Sequence, residues 1–271
     1  MNISAEEFLE EVDKFIENTT REKCHRIEDR EFAVVGDVHA DFKSLSYILE
    51  NVKSKIVFLG DYGDRGKMPV ETYYAILKRA NKDGSVILRG NHESDEVFPH
   101  DLPMKFEEYF KSDEVYKRVK KLWECLPVSA IAKDVWLVHG GVPTKNGKID
   151  VEGIEANEIF NPSKENIIEM MWNDPWENER CSINPRGIGM LFGKKATKEL
   201  LNALNVKVVV RAHEPTKILK VEQDGMVVTL GSCMEPYNLS KAAFLKIRGE
   251  IKNGYHLVKN FGVVFSKSDL R

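Results

Sequence analysis

Five times along this chain a short apolar run breaks off, and an Asp, Asn or His follows within about three residues. Phe32-Ala33-Val34-Val35 leads to Asp37, Ile56-Val57-Phe58-Leu59 to Asp61, and Val86-Ile87-Leu88 to Asn91. Residues 135–138 lead to His139, and Val208-Val209-Val210 to His213. Runs this short and this rich in β-branched residues read as buried strands. Helical patterns stand between the first three. Leu45, Ile48 and Leu49 share one face, and a helix from Pro69 to Arg79 opens on a proline suited to a first turn. Strands alternating with helices imply a largely parallel sheet, and such sheets present ligand-binding residues beyond the carboxyl ends of their strands. The spacing predicts an α/β fold with a βαβαβ first half. Its five polar side chains gather at one edge of the core, with His39 on the same loop as Asp37.

The remaining chain fits around that frame. Phe8, Val12, Phe15 and Ile16 recur at helical spacing between about Ser4 and Asn18, with Ser4 as N-cap. Residues 102–126 read as two helices broken near Ser112, residues 150–204 as a loop-rich, mostly helical stretch, and residues 218–264 as an antiparallel meander with a turn at Asp224-Gly225. No repeat or low-complexity linker interrupts the chain, so residues 1–271 are expected to form one domain, with 1–30 as an N-terminal helical segment.

Composition narrows the function classes. A net charge of −3 lacks the basic excess of a nucleic-acid binder, so any anion must be held by a local cluster of cations. No apolar run reaches the roughly 20 residues that span a bilayer, and no secretory signal opens the chain. Cys24, Cys125, Cys181 and Cys233 are far apart, without a C-x-x-C pair, which reads as reduced thiols in a cytoplasmic protein.

Taken singly, an Asp after a strand is more often a cap or turn residue, and a lone His more often a satisfied polar group. The conjunction is what carries weight: of seven histidines, His39, His92, His139 and His213 all fall at these strand ends. Mixed His, Asp and Asn donors suit borderline divalent metals such as Mn, Fe or Zn, and their number suits two sites sharing a carboxylate.

Gly36-Asp37-Val38-His39, Gly60-Asp61-Tyr62-Gly63-Asp64-Arg65-Gly66 and Arg89-Gly90-Asn91-His92-Glu93 resemble the GDxH, GDxxDRG and GNHE signatures of the PPP-type serine/threonine protein phosphatases. This is a branch of the calcineurin-like metallophosphoesterase superfamily. Val138-His139-Gly140-Gly141 and Arg211-Ala212-His213 resemble its HGG and RAH motifs, and Trp172-Asn173-Asp174-Pro175 is similar to its WSDP segment. Asn184-Pro185-Arg186-Gly187 resembles the segment that carries its second phosphate-binding arginine. The motifs run in family order over residues 36–214.

The resemblance implies a four-layer α/β/β/α sandwich with the metals at one end, in a stand-alone catalytic domain of prokaryotic type. Asp37 and His39 would bind the first of two divalent metals, Mn in vitro with Fe or Zn also suited. Asp61 would bridge, and Asn91, His139 and His213 would bind the second. A bridging hydroxide would attack phosphorus directly. His92 would protonate the leaving alkoxide, oriented by Asp64. Arg65 and Arg186 would clamp the phosphoryl oxygens, and Asn91 and Tyr237 would also contact substrate. Phosphoproteins are the implied substrates.

Departures also count. Ala40-Asp41 stands where the family has Gly followed by Gln or a small residue, Gly63 replaces Val, and residues 231–237 occupy the place of a SAPNYC loop. His213 is followed by Glu214 and Pro215, unlike the GHxH of nucleases and purple-acid-type enzymes. Glu93 separates the chain from diadenosine-polyphosphate hydrolases, which show GNHD. Hydrolysis of dinucleoside polyphosphates is the alternative activity, and a non-catalytic scaffold is a third reading that the full donor set disfavours.

Overall fold

Strands that are apolar at every position need cover on both faces. The computed structural model, which describes residues 2–270, shows how that cover is arranged. In chain order come α1 (Ala5–Asn18), β1 (Cys24–Arg26), β2 (Glu31–Val35), α2 (Phe42–Asn51), β3 (Lys55–Phe58), α3 (Pro69–Asp83) and β4 (Val86–Ile87). Next are α4 (Leu102–Phe110), α5 (Glu114–Cys125), β5 (Ser129–Ile131), β6 (Val135–Val138), α6 (Ala156–Phe160) and α7 (Lys164–Trp172). Then follow β7 (Asp174–Pro175), β8 (Ser182–Ile183), β9 (Met190–Phe192), α8 (Lys194–Leu204) and β10 (Val208–Arg211). The chain closes with β11 (Lys220–Glu222), β12 (Val227–Thr229), β13 (Lys241–Arg248), α9 (Gly254–Phe261) and β14 (Gly262–Ser266).

One sheet runs β14-β13-β2-β3-β4, with β2, β3 and β4 parallel and β13 antiparallel to β2. The second runs β1-β5-β6-β10-β12-β11, with β6, β10 and β12 parallel. Alternation along β2 shows how the sheets face each other. Phe32 and Val34 join Val57, Leu137, Val208 and Val210 in the apolar layer between the sheets. Ala33 and Val35 point the other way, into a cluster with Phe8, Leu45, Leu77 and Trp123 from α1, α2, α3 and α5. On the far side, Trp136, Val138 and Val209 pack with Met170 and Leu200 from α7 and α8. Helices, sheet, sheet and helices are thus stacked as the resemblance implies.

Several local readings are corrected. Residues 150–204 are not only helical and loop: β7, β9 and β8 form a small third sheet of two- and three-residue strands, too short to show a period in sequence. The 1–30 segment contains α1 and then β1, a strand paired with β5. The terminal meander divides between sheets. β11 and β12 pair antiparallel, but β12 lies parallel to β10, while β13 and β14 belong to the other sheet with α9 between them. Gly254 and Gly262 bracket α9, and glycine reads as a turn signal in sequence. Among the described residues no helix is long and apolar enough to cross a membrane.

α1 starts where its sequence says. Glu7 N donates to Ser4 Oγ (3.1 Å) and Ser4 N to Glu7 Oε2 (2.9 Å), a reciprocal capping box. Phe8 and Val12 are fully buried, and the Phe8 ring meets those of Phe106 and Phe110 edge-on. Phe8→Ala is expected to lower the unfolding free energy by about 3–5 kcal/mol. Ser4→Ala should lower it by about 1 kcal/mol. Urea titration of the two variants tests the ranking, and equal losses would contradict it.

Candidate active site

The five strand ends meet because the two sheets are stitched at one edge. Asp37 bridges to Gly231, and Gly36 N donates to Ser232 Oγ (2.8 Å), joining the end of β2 to the end of β12. Turning the chain sharply there needs unusual backbone. His39 (φ 45°), Asp61 (φ 58°), Arg65 (φ 79°) and His213 (φ 66°) are all left-handed, at a cost of about 1–3 kcal/mol each. Hydrogen bonds hold them: Val38 N and His39 N donate to Asp61 O (3.1 and 2.8 Å), and Ala40 N to Tyr62 O (2.7 Å). At Gly90 the chain passes so close to Asp61 that a Cβ would overlap its backbone nitrogen and Oδ1.

Two groups of three His or Asp donors, each within 4.8 Å, lie here: His39, Asp61 and His92, and Asp61, His139 and His213. Asp61 is common to both. Tautomers follow from the outer contacts. His39 Nδ1 donates to Asp64 O (3.2 Å), leaving a bare Nε2 that lies 3.5 Å from Asp61 Oδ2 and accepts from the Tyr237 hydroxyl (3.1 Å). His139 Nδ1 donates to Leu59 O (3.0 Å). Its bare Nε2 then faces Asn91 Oδ1 at 2.8 Å and Asp61 Oδ1 at 3.4 Å. Acceptors turned on one another repel unless a cation stands among them. His213 Nδ1 lies 2.8 Å from Asn91 Oδ1 and 3.2 Å from His139 Nε2. Donors about 2.1 Å from one cation and at right angles stand about 3 Å apart, so the spacing fits a divalent ion. Asp37 accepts from His213 N on Oδ1 (3.0 Å), while its buried Oδ2 has no hydrogen-bond partner.

Charge states agree with that fit. Burial holds His39, His139 and His213 well below the usual histidine range, which keeps them neutral, the form that ligates. Burial pushes the Asp37 carboxyl up to about 7. Burial, then the Asp37 charge, pushes Asp61 well above the carboxylate range. Two buried carboxylates, the charge of one raising the other, call for a cation beside them.

Above the donors opens a cleft of about 400 Å³ lined by Arg65, His92, Arg186, His213 and Tyr237 among others. His92 Nδ1 meets Asp64 Oδ2 at 2.6 Å, and His92 N donates to Asp61 Oδ1 (3.0 Å). Burial opposes ionisation of Asp64, but contacts from His100, His92 and Asp101 outweigh it and hold the carboxyl below its usual range. Arg65 Nε lies 3.9 Å from Asp64 Oδ2, with the side chain 30% exposed. Arg186, from the irregular stretch before β9, reaches the cleft: Nε lies 3.2 Å from Asp174 Oδ2, and Nη1 lies 3.2 Å from His213 Nε2.

Four further residues matter that sequence reading did not assign. Glu93 is fully buried and accepts from Asp61 N (2.7 Å), Gly90 N (2.9 Å), Tyr62 N (3.1 Å) and the Tyr73 hydroxyl (3.2 Å). Asp41, noticed only as a departure, caps α2 through Ser44 N (3.1 Å) and accepts from Met234 N (2.7 Å) and Glu235 N (3.1 Å), pinning the loop that carries Tyr237. Arg211 is fully buried between Asp174 (3.0 Å) and Glu214 (2.6 Å), which ties β10 to the small sheet. His100 lies 3.4 Å from Asp64.

The raised Asp37 carboxyl has a sign that stability measurements can read. In chelator, folding favours its protonated form, so its contribution is full below about pH 4 and is lost as pH rises through about 7. Chelated wild type should therefore lose stability relative to chelated Asp37→Asn between pH 4.5 and 7.5, and Mn should restore it at the upper end. A pH-independent difference in urea unfolding would contradict this.

The family described as calcineurin-like phosphoesterase matches residues 31–217. The serine/threonine-protein phosphatase 4 catalytic subunit of Candida glabrata is 29% identical over 245 residues, 84% of this chain and 77% of that protein. Human serine/threonine-protein phosphatase 5 is 27% identical over 275 residues, 94% of this chain but 52% of that protein. The solved structure of a protein serine/threonine phosphatase from Saccharomyces cerevisiae superposes with a TM-score of 0.76 at 19% identity, covering 97% of this chain and 88% of that one, a likeness of fold. With the family match spanning most of its length, the chain belongs to the calcineurin-like phosphoesterases.

Proposed function

We propose that this chain is a metal-dependent phosphoserine/phosphothreonine protein phosphatase, with residues 1–271 acting as one catalytic domain. One observation carries the reading: Asp61 stands between His39 on one side and His139 with His213 on the other, directly beside the His92–Asp64 pair and two arginines in a single cleft. The relatives' names, serine/threonine-protein phosphatases 4 and 5, support a phosphoprotein substrate over a dinucleoside polyphosphate. Four unpaired, buried cysteines are consistent with a reducing, cytoplasmic setting.

Asp37, His39, Asp61, Asn91, His139 and His213 would hold two divalent cations, Mn in vitro or Fe or Zn. Bound there, such cations supply Lewis acidity toward the phosphoryl group and lower the pKa of water. The chain's own residues do the rest. Arg65 and Arg186 donate to phosphoryl oxygens, both reaching them from the lining of the cleft. Asn91 keeps its amide nitrogen for a phosphoryl oxygen, and Tyr237, seated on His39, borders the same space. Asp64 holds the Nδ1 proton of His92, leaving Nε2 to donate to the departing serine or threonine oxygen.

Phosphopeptide turnover with Mn should exceed turnover of diadenosine tetraphosphate and vanish on chelation. Activity that survives thorough chelation would sink the proposal, and a preference for the dinucleotide would shift it to the alternative substrate class. Asp61→Asn should lose most activity together with Mn-induced thermal stabilisation. His92→Asn should lower kcat on phosphoserine peptide about 10²–10⁴-fold while the stabilisation by Mn persists.

A further inference from the structure

Asp64 serves two imidazoles, not one. Its Oδ1 accepts from Arg65 N (3.0 Å) and Asp101 N (3.1 Å). Its Oδ2 faces His92 Nδ1 at 2.6 Å and His100 Nδ1 at 3.4 Å. The 2.6 Å contact is the length of a charge-assisted hydrogen bond, so a proton lies between Asp64 and His92. His100 lies in the segment between β4 and α4, its side chain 8% exposed, with its ring near those of Tyr116 and Trp123.

Proton accounting fixes the state of that ring. Asp95 is an ionised acceptor, since the Tyr116 hydroxyl and Lys120 outweigh its modest burial and lower its carboxyl. Tyr116 therefore spends its single hydroxyl proton on Asp95. His100 Nε2, 3.2 Å from the same hydroxyl oxygen, must be the donor in that contact. The remaining nitrogen, Nδ1, is buried with no hydrogen-bond partner and sits beside the Asp64 carboxylate. A bare lone pair there would be both desolvated and repelled. A second ring proton removes both penalties and turns the contact into an ion pair.

We propose that His100 is a positioning residue: an imidazolium wedged between Tyr116 and Asp64 that fixes the carboxylate on which His92 is aligned. The inference rests on the reading of His92 as general acid. Arg65 N, Asp101 N and His100 then fix Asp64 from three directions, and His92 takes its direction from a carboxylate that does not swing.

The readout is leaving-group dependence, because an alkoxide needs its proton delivered and p-nitrophenolate does not. In Mn-loaded enzyme, the ratio of kcat on p-nitrophenyl phosphate to kcat on phosphoserine peptide should rise about 10-fold in His100→Phe and further in His92→Asn. Tyr116→Phe, which removes the acceptor for Nε2 together with the hydroxyl that donates to Asp95 but keeps His100 beside Asp64, should give a smaller rise. A raised ratio in His92→Asn with an unchanged ratio in His100→Phe overturns this proposal alone. An unchanged ratio in His92→Asn removes the general-acid reading and this proposal with it. Histidine ¹⁵N shifts of the wild-type protein loaded with diamagnetic Zn give a check independent of any variant's folding. Both ring nitrogens of His100 should carry protons at pH 7, and a bare Nδ1 overturns the proposal.

Discussion

The loop after β3 and the loop after β4 are fastened by one buried carboxylate. Glu93 accepts hydrogen bonds from Asp61 N, Tyr62 N, Gly90 N and the Tyr73 hydroxyl, so the carboxylate at the centre of both donor groups and the Asn91 loop are held as one body. A buried anion with four donors is stable where a buried anion with none is not. Without that clasp, the left-handed turn at Asp61 would keep the bonds to its carbonyl but lose the one from its amide. The distances among Asp61, Asn91 and His139 would then be free to relax.

Around that clasp, neutral and charged groups are sorted by depth. Asp37 and His139 are fully buried beneath the cleft floor, while Arg65 and Arg186 stand in the cleft with part of each side chain in water. Such an arrangement suits an anion that arrives from solvent and meets cations first. It also explains how a chain of net charge −3 attracts phosphate: the positive charge is local and raised on the rim.

How much of this was legible in the sequence differs by element. The five strand ends were, because an apolar run that stops at a polar residue marks both a buried strand and its exit. Ser4 as cap and the break near Ser112 were legible for a similar local reason. The small sheet was not, since strands of two or three residues have no period, nor was α9, framed by two glycines. In the site, the residues that share a motif could be named together, and the structure brings them to one edge. Asp41, His100 and Arg211 escaped assignment because each acts through partners distant in sequence. Asp41 reaches Met234, 193 residues on, and Arg211 reaches Asp174, 37 residues back.

The left-handed backbone at His39, Asp61, Arg65 and His213 bears on how such a chain can evolve. Glycine would sit at each of these positions with less strain. Substitutions that ease the backbone there would thus remove the donors and an arginine, so mutational drift toward a more stable protein leads away from the site. Heat-adapted descendants should accordingly gain their margin in the helical layers, leaving these four turns as strained as they are now.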